Sequence, residues 1–227
     1  FLVGPLSPKK TKGTVMTCTA LDVSNWESIL IHCGVASSVA SEWSPIFSAE
    51  IDDGAFSAGM KTELPDFLGN ILHESLMLER LEENLYYTRP ERLMQVWPRR
   101  FPTLAIAQQY TRSPRKLANY VYGNRLGNIN GDGWSYRGSG MIMVTGRDNF
   151  ALIEETTGLP VIDNPDLLRQ ADTALRVALA WWEAWVPDSA MGNRPRVRRA
   201  VNGGDIGLRD TTQLSNLAEE IIYELVA

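Results

Sequence analysis

The sequence predicts a mainly helical fold with one small β element. Apolar residues recur at spacings of three and four in several segments, as on the buried face of a helix. One stretch, residues 123–149, is instead dense in Gly and Asn, which favours turns over helix. The 227 residues suffice for one well-filled core or for a compact two-lobed domain.

Eight helices are expected from this periodicity and from the residues that flank it. The first, Asp22–Gly34, has Ser24 or Asn25 as its capping residue and Gly34 as its end. Another, Leu64–Leu78, has Pro65 in its first turn, where the missing N–H costs little. The other expected helices are Ala36–Ile51, Arg92–Trp97, Thr103–Tyr110, Pro114–Tyr122, Asp166–Trp185 and Arg209–Val226.

The Gly- and Asn-rich stretch is expected to hold a short β-hairpin and to carry function. A Gly-rich aromatic segment inside a helical chain often positions a ligand. The residues that would supply the hairpin are Trp134, Tyr136, Met141, Met143 and Val144.

Composition and charge argue against several classes of function. The net charge of −5 gives no basic surplus for a nucleic acid, and no apolar run reaches the ~18 residues of a membrane span. His32 and His73 are too few for a zinc site, so neither a metal nor a cofactor is expected. Cys18 and Cys33 are expected to be free thiols, with one disulfide between them as the alternative, and the chain is expected to be a monomer.

Residues 1–15 differ in composition from the remainder of the chain. They contain Pro5, Pro8 and three Lys, and they lack the apolar stretch of a signal peptide. Met16 looks like the natural initiator. We therefore expect residues 1–15 to be foreign to the natural protein and residues 16–227 to form a single catalytic domain.

Two local clusters have a plain structural interpretation. The aromatic cluster is expected to belong to the core rather than to a sugar platform, and consists of Trp181, Trp182 and Trp185. The basic cluster is expected to be a solvated helix end or loop, with a basic rim for an anionic polymer as the alternative. Its members are Arg194, Arg196, Arg198 and Arg199.

The string HESLMLERLEENLYY, residues 73–87, holds the acids that glycosidic cleavage requires. One carboxyl group must be protonated and a second ionised, so their surroundings must differ: an apolar wall raises one pKa, and polar neighbours keep the other low. Glu74 follows the apolar Leu72 near a helix end, which suits the protonated role.

Three residues compete for the ionised role, and spacing alone does not choose among them: Glu79, Glu82 and Glu83. In a continuous helix Glu83 would lie roughly 13 Å along the axis from Glu74, on the opposite side. If Glu83 is the base, the helix must therefore end near Leu78, and the chain must fold back.

Five motifs occur in an order that is typical of one enzyme family. They are HES (73–75), EEN (82–84), ANYVYGNRLGN (118–128), GDGWSYRGSGMIMVTGRDNF (131–150) and VNGG (201–204). Together they resemble glycoside hydrolase family 19, in its bacterial and phage endolysin branch, over roughly residues 64–210. The resemblance implies a lysozyme-like α+β fold: two helical lobes and a small β-hairpin flanking a substrate cleft.

The resemblance also implies an inverting, single-displacement mechanism. It assigns the general acid to Glu74, the base to Glu83 across the groove, and to the hydroxyl of Thr145 the task of holding the attacking water. It further implies substrate contacts at Tyr122, Arg125, Tyr136, Arg137, Asn149 and Asn202.

The chain departs from the family pattern at three places. Met143 stands where Gln is usual, and Ser139 gives RGSG where RGRG is common. Leu76 and Met77 stand where two glycines often follow HES. The three assigned catalytic residues are intact, but the substrate subsites are expected to differ.

The function that the resemblance implies is a peptidoglycan-degrading endolysin, a muramidase cutting β-1,4 bonds between amino sugars. Three features favour peptidoglycan over chitin: the phage-like motif variants, the few cysteines and the lack of a secretion signal after Met16. Such an enzyme stays in the host cytoplasm before lysis and acts on the wall in the periplasm. The alternatives are a chitinase of the same mechanism, an inactive glycan-binding relative, and a toxin-type effector delivered into rival cells.

Overall fold

The structure is a computed structural model that describes residues 21–52 and 54–225. These residues form two compact units. Unit 1 comprises the described residues up to 81, residues 140–142 and those from 168 onwards; unit 2 comprises residues 82–139 and 143–167. Two helical lobes were predicted, and this is confirmed. The segment 1–15 and Cys18 lie outside the described residues, and Cys33 is a buried free thiol.

The part of the chain that the structure describes forms ten α-helices, six in unit 1 and four in unit 2. They are α1 (Val23–His32), α2 (Ser37–Glu50), α3 (Met60–Glu74), α4 (Pro90–Val96), α5 (Leu104–Gln108), α6 (Pro114–Tyr122), α7 (Arg147–Thr157), α8 (Ala171–Trp185), α9 (Arg194–Asn202) and α10 (Leu208–Leu225). Helix α6 has the predicted bounds, and five others lie within two residues of the prediction at each end. None of the ten is long and apolar enough to cross a membrane.

Helix α1 is capped by Asp22 rather than by the predicted Ser24 or Asn25. The Asp22 carboxylate accepts the N–H of Asn25 at 2.8 Å, and the Asn25 side chain accepts the N–H of Asp22 at 3.1 Å. Ser24 donates its hydroxyl to the same carboxylate at 2.7 Å. An anionic cap complements the positive end of the helix dipole, which a neutral Ser or Asn does less well.

Helix α3 is the central helix of unit 1, and it begins one turn earlier than predicted. Every described side chain from Glu63 to Leu72 is buried, and the helix packs along α10. Pro65 therefore lies inside the helix rather than in its first turn. Burial on all sides outweighs the local preference of proline for a helix start.

Aromatic rings fill the core beside α3. The ring of Phe67 lies 5.5 Å from Trp182 and 5.4 Å from Phe56. Trp181 and Trp182 are buried, and the half-buried Trp185 stacks on Trp181 with centroids 5.6 Å apart. The assignment of this aromatic cluster to the core is confirmed. The helix predicted from Asp166 is divided into a 3₁₀ turn, Pro165–Arg169, and α8.

The basic cluster is not a solvated end, because it forms the unpredicted helix α9 and most of its charges are paired within unit 1. Arg194 pairs with Asp66 and, at 2.7 Å, with Glu219. Arg199 pairs with Asp205 at 2.8 Å. Arg198 is 1% exposed, which no surface interpretation of the cluster allows. Arg196 is exposed as predicted, and so is Arg199 despite its ion pair.

Unit 2 has an apolar core of its own beneath α4, α5 and α6. The buried members of this core are Leu85, Leu93, Phe101, Ala107, Leu117, Ala118 and Val121. Tyr110 and Tyr120 stack beside it with centroids 4.4 Å apart. The unpredicted helix α7 contributes Phe150, which packs against Tyr136 at 5.0 Å.

The predicted β-hairpin is reduced to isolated bridges. Among the described residues the bridges are Glu82 with Ser139 and Ser139 with Val144, both antiparallel. Glycines flank Ser139 at 138 and 140, and glycine weakens a strand because it has no side chain to pack. The result is a turn held by these two bridges rather than a pair of strands joined by a continuous series of hydrogen bonds.

A left-handed turn follows α3 in place of a continued helix. Leu76, Met77 and Leu78 have φ angles of +50°, +60° and +69°. This conformation costs a non-glycine residue roughly 1–2 kcal/mol. Leu76 and Met77 occupy the positions where two glycines were expected from the resemblance, so the sequence departure coincides with backbone strain.

We predict that Leu76→Gly stabilises the protein by roughly 0.5–1 kcal/mol, because relief of the left-handed φ exceeds the entropy cost of glycine. Leu76 is 48% exposed, so little burial is lost. Leu78→Gly is the matched control, since Leu78 shares the conformation but is 4% exposed. It should destabilise by about 2–5 kcal/mol. Urea unfolding measures both, and a destabilised Leu76→Gly variant would contradict the strain argument.

Candidate active site

Glu83 is held beside Gly138 in unit 2 by backbone and side-chain hydrogen bonds. Its N–H donates to the Gly138 carbonyl at 2.8 Å. Its carboxylate accepts the Tyr122 hydroxyl at 2.7 Å and 2.9 Å on the two oxygens, and the Gly138 N–H at 3.4 Å. Tyr122, the last residue of α6, is thus a partner of the predicted base.

Burial dominates the electrostatics of Glu83. Desolvation raises the pKa of the Glu83 carboxyl, and the Tyr122 hydroxyl, the Gly138 N–H and the charge of Arg137 offset part of this shift. Burial and the Glu83 charge also raise the pKa of Tyr122, so its hydroxyl stays protonated and can donate. Polar neighbours do surround Glu83 as expected, but they do not outweigh its burial.

The structure brings Thr145 and Glu83 together, as the resemblance implied. A β-carbon built on Gly138 would lie 3.3 Å from Glu83 Oε2 and 3.4 Å from Thr145 Oγ1. The carboxylate and the hydroxyl therefore border the same small space. The Thr145 hydroxyl donates to the Met143 carbonyl at 2.9 Å, which leaves its oxygen lone pairs to accept from a water.

Arg137 separates the roles of Glu82 and Glu83. It is 6% exposed, and its Nε and Nη2 lie 2.8 Å and 2.7 Å from Glu82 Oε1. Its Nη1 donates to the Trp134 carbonyl at 2.6 Å, and the guanidinium lies 3.8 Å from the centroid of the Trp134 ring. Glu82 is thereby committed to a buried cation. Glu79 is exposed in the turn. Glu83 is half-buried and its carboxylate receives hydrogen bonds from neutral groups, so it remains the candidate for the base.

A cavity of about 280 Å³ borders Glu83 in unit 2. It combines carboxylate and amide groups with the rings of Tyr86 and Trp134. Its size is near the lower end of ligand pockets, roughly 300–1,000 Å³, and suits a single sugar ring. The lining residues are Glu82, Glu83, Asn84, Leu85, Tyr86, Pro114 and Trp134. Tyr86 and Asn84 were not among the predicted site residues, although they follow the predicted base closely in the chain.

Three other residues assigned to the substrate are placed by the scaffold of unit 2. Tyr136 is 3% exposed and donates its hydroxyl to the Ile162 carbonyl at 3.0 Å. Asn149 donates to the Thr145 carbonyl at 2.7 Å, and so supports the residue that is predicted to hold the water. Arg125 is exposed and makes one long contact, 3.4 Å, to the Val121 carbonyl. Direct sugar contacts at these positions stay predictions.

The family departures also have structural places. Ser139 is fully buried, and its hydroxyl donates to the Arg137 carbonyl at 2.8 Å. The change from RGRG to RGSG therefore affects the scaffold that holds Arg137. Met143 is half-buried with a φ of +52°.

Glu74 is the last residue of α3, which ends four residues before the predicted Leu78, and a cation rather than an apolar wall contacts its carboxylate. Arg198 Nη2 lies 2.7 Å from Glu74 Oε1, and the two side chains are 1% and 13% exposed. The contact is an ion pair, and Glu74 Oε1 accepts no hydrogen bond. Arg198 also donates to the Ile206 carbonyl at 2.7 Å and to Asn70 Oδ1 at 3.1 Å.

Gly207 lies against His73 and Arg198 in unit 1. A β-carbon there would lie 2.4 Å from His73 Nε2 and 3.1 Å from Arg198 Nη2, and its φ of +78° favours glycine. The half-buried Asn202 ends α9 just before this loop.

The contact between Arg198 and Glu74 could not be predicted from sequence. Four arginines in six residues suggest an exposed surface, and only the packing of the folded chain distinguishes Arg198 from the other three. In the described ranges, no group of three His, Cys, Asp or Glu is arranged to hold a metal.

The chain resembles several known proteins in sequence or in fold. Over 151 residues the chain is 35% identical to a Haemophilus influenzae protein named glycosyl hydrolase family 19 domain-containing protein, covering 65% of this chain and 74% of that protein. Chitinase C from Streptomyces griseus HUT6037 matches in structure with a TM-score of 0.51 at 16% identity, over 93% of this chain and 79% of that chain. A variant of chitinase C matches with a TM-score of 0.51 at 15% identity, over 90% and 77%. These two matches show a shared fold. No family model matches the chain.

We predict that Tyr122→Phe moves the acid limb of the pH profile of kcat/KM to higher pH. The hydroxyl lowers the pKa of Glu83 against the effect of burial, so its loss lets that pKa rise. A base must be ionised, and it is ionised only above its pKa. Tyr120→Phe is the control, since the Tyr120 hydroxyl donates to the Arg100 carbonyl at 3.0 Å instead. An unmoved limb, or one moved to lower pH, would show that Tyr122 does not tune the base.

We also predict that Arg198→Met destabilises the fold by about 3–5 kcal/mol, because it leaves a mostly buried carboxylate without its cation. Adding Glu74→Met should recover part of this loss, since an apolar pair leaves no buried charge. The measurement is a double-mutant cycle in urea. If the two single losses simply add, the pair is not coupled and the ion-pair assignment is wrong.

Proposed function

The chain belongs to glycosyl hydrolase family 19, and from this premise we propose that it cleaves peptidoglycan at β-1,4 bonds between amino sugars, by an inverting acid–base mechanism. One observation carries the proposal. A half-buried carboxylate, Glu83, is oriented by the Tyr122 hydroxyl and shares a small space with the hydroxyl of Thr145. That arrangement suits a base that activates a water.

The base step uses the groups around Gly138. Glu83 accepts a proton from a water, and Thr145 holds that water by accepting its second hydrogen. Tyr122 donates to both oxygens of Glu83, so it keeps the carboxylate in one orientation. Gly138 carries no side chain where the water would lie, since a β-carbon there would lie 3.0 Å from the β-carbon of Glu83. The water then attacks the anomeric carbon from the face opposite the leaving group.

The acid step belongs to Glu74. It gives its proton to the glycosidic oxygen as the bond breaks, which prevents the leaving sugar from departing as an alkoxide. Arg198 contacts Oε1, so Oε2 is the oxygen that we assign to proton delivery. In an inverting pair the two carboxyl groups are roughly 6.5–9.5 Å apart, and the mechanism requires that separation when substrate is bound.

The cavity beside Glu83 suits the sugar ring next to the attacked bond. Tyr86 is 55% exposed, and Trp134 lines the cavity while Arg137 covers one face of its ring. Sugar binding combines apolar ring faces with a few oriented polar groups. Asn84 supplies such a group at the same cavity.

Peptidoglycan is the proposed substrate because the five motifs, taken together, resemble those of the family's bacterial and phage endolysin branch. Action at the bacterial wall follows from this substrate. Release from the host cytoplasm at lysis is part of the same proposal. A chitinase of the same mechanism is the competing function, and so is a glycan-binding protein without turnover.

We predict that Glu74→Gln and Glu83→Gln each lower turnover by roughly 10²–10⁴-fold, the usual worth of general acid–base catalysis. Glu82→Gln is the matched control, because the amide oxygen can still accept from Arg137; it should retain most activity. Reducing-end release from purified peptidoglycan and from chitin measures each variant. Equal losses in Glu82→Gln and Glu83→Gln would remove the assignment of the base.

Product analysis decides the finer points. Mass spectrometry of the digest identifies the bond that is cut, and NMR of the first-formed products gives their anomeric configuration. Release from chitin alone would favour the chitinase, and retained configuration would overturn the inverting mechanism. Glycan binding without any cleavage by the unsubstituted protein would leave only the binding function.

A further inference from the structure

Charge is distributed very unevenly along this chain. Residues 84–125 hold eight Lys or Arg and a single acid, Glu91, a net charge of +7. The whole chain has a net charge of −5, so the remaining residues carry −12. We call residues 84–125 the basic segment; it lies wholly in unit 2 and includes α4, α5 and α6.

The cations of the basic segment are solvent-facing and lack acidic partners. Seven of the eight are exposed and Arg100 is half-buried. Among the described residues, none of the eight forms an ion pair with a carboxylate. The eight are Arg89, Arg92, Arg99, Arg100, Arg112, Arg115, Lys116 and Arg125. Ordinary solvated surfaces mix both signs, so this excess of one sign calls for an anionic partner.

The packing of the segment brings distant parts of it together. Lys116 lies 4.7 Å from the centroid of the Tyr110 ring, and Arg100 lies 5.9 Å from that of Tyr120. Since Tyr110 and Tyr120 stack on each other, Arg100 and Lys116 share one neighbourhood. The N–H of Arg112 donates to the Tyr87 carbonyl at 2.8 Å, so Arg112 lies beside residues near the start of the segment.

We propose that the basic segment binds the carboxylates of the peptide stems of peptidoglycan, and so holds the anionic polymer while its sugar chain occupies the site at Glu83. The inference rests on the proposed function for its substrate. Three residues that line the cavity adjoin the basic segment or its cations in the chain. Glu83 directly precedes the segment, Asn84 is its first residue, and Pro114 directly precedes Arg115. Chitin is a neutral polymer and gains nothing from such charges, so the segment distinguishes the two glycans.

The test compares two double charge reversals in a Glu74→Gln background, which binds without turnover. Arg92→Glu with Arg115→Glu alters the basic segment. Arg196→Glu with Arg209→Glu is the matched control in unit 1. All four side chains are exposed, and each substitution places Glu in the first turn of a helix, where it is tolerated.

Binding is measured by co-sedimentation with purified sacculi over a salt series, with sacculi whose carboxylates have been amidated, and with chitin particles. We expect the Arg92/Arg115 variant to bind native sacculi roughly five- to tenfold more weakly at low salt, the control to be unchanged, and the difference to vanish at high salt, where charges are screened. Amidation should weaken the parent protein to a similar extent. Binding to chitin should not respond to either reversal.

Three outcomes would overturn the inference: equal binding of both double variants to native sacculi, no effect of amidation, or an equal loss on chitin. The proposed function has its own readout, cleavage by the protein with Glu74 intact. Charge-dependent binding without cleavage would overturn the proposed function and support the basic segment as a binding surface. Cleavage with charge-independent binding would support the proposed function and overturn the role of the basic segment.

Discussion

Glu83 is half-buried, and the hydrogen bond from the Tyr122 hydroxyl to both of its oxygens offsets part of the desolvation of its carboxylate. Without a donor a buried carboxylate would be driven towards its neutral form, which cannot accept a proton from water. Tyr122 lies at the end of α6, whose position depends on the apolar core of unit 2. The position of the Glu83 carboxylate therefore depends on the packing of that core, and residues far from the proposed chemistry contribute to the geometry of the site.

The two predicted catalytic carboxylates are held by different means. Glu83 receives neutral donors, so it stays fixed without a full countercharge and burial still raises its pKa. Glu74 instead contacts Arg198, a guanidinium that is itself anchored to Asn70 and to the Ile206 carbonyl. This arrangement differs from the apolar wall inferred for the acid from sequence. The proton delivery that we propose for Glu74 then depends on how substrate entry changes its contact with Arg198.

The sequence could reveal features governed by local pattern. Helix α6 has the predicted bounds because Pro114 begins it and Gly123 follows it, and Glu74 ends α3 as the resemblance implied. It could not reveal features governed by packing. Helix α3 starts early since its interior burial overrides Pro65, and Arg198 differs from its neighbour Arg199 only in what surrounds it. The capping Asp22 was overlooked because several capping residues adjoin it.

Net charge illustrates the same limit for electrostatics. A total of −5 gives no reason to expect attraction to an acidic polymer, but a polymer responds to the nearby field rather than to the total. Screening confines that field to about 10 Å at 0.1 M salt, so the acids outside the basic segment lose influence with distance while its eight cations act at close range. A chain can therefore be acidic overall, which favours solubility, and still present a cationic surface beside the site where an anionic substrate must be held.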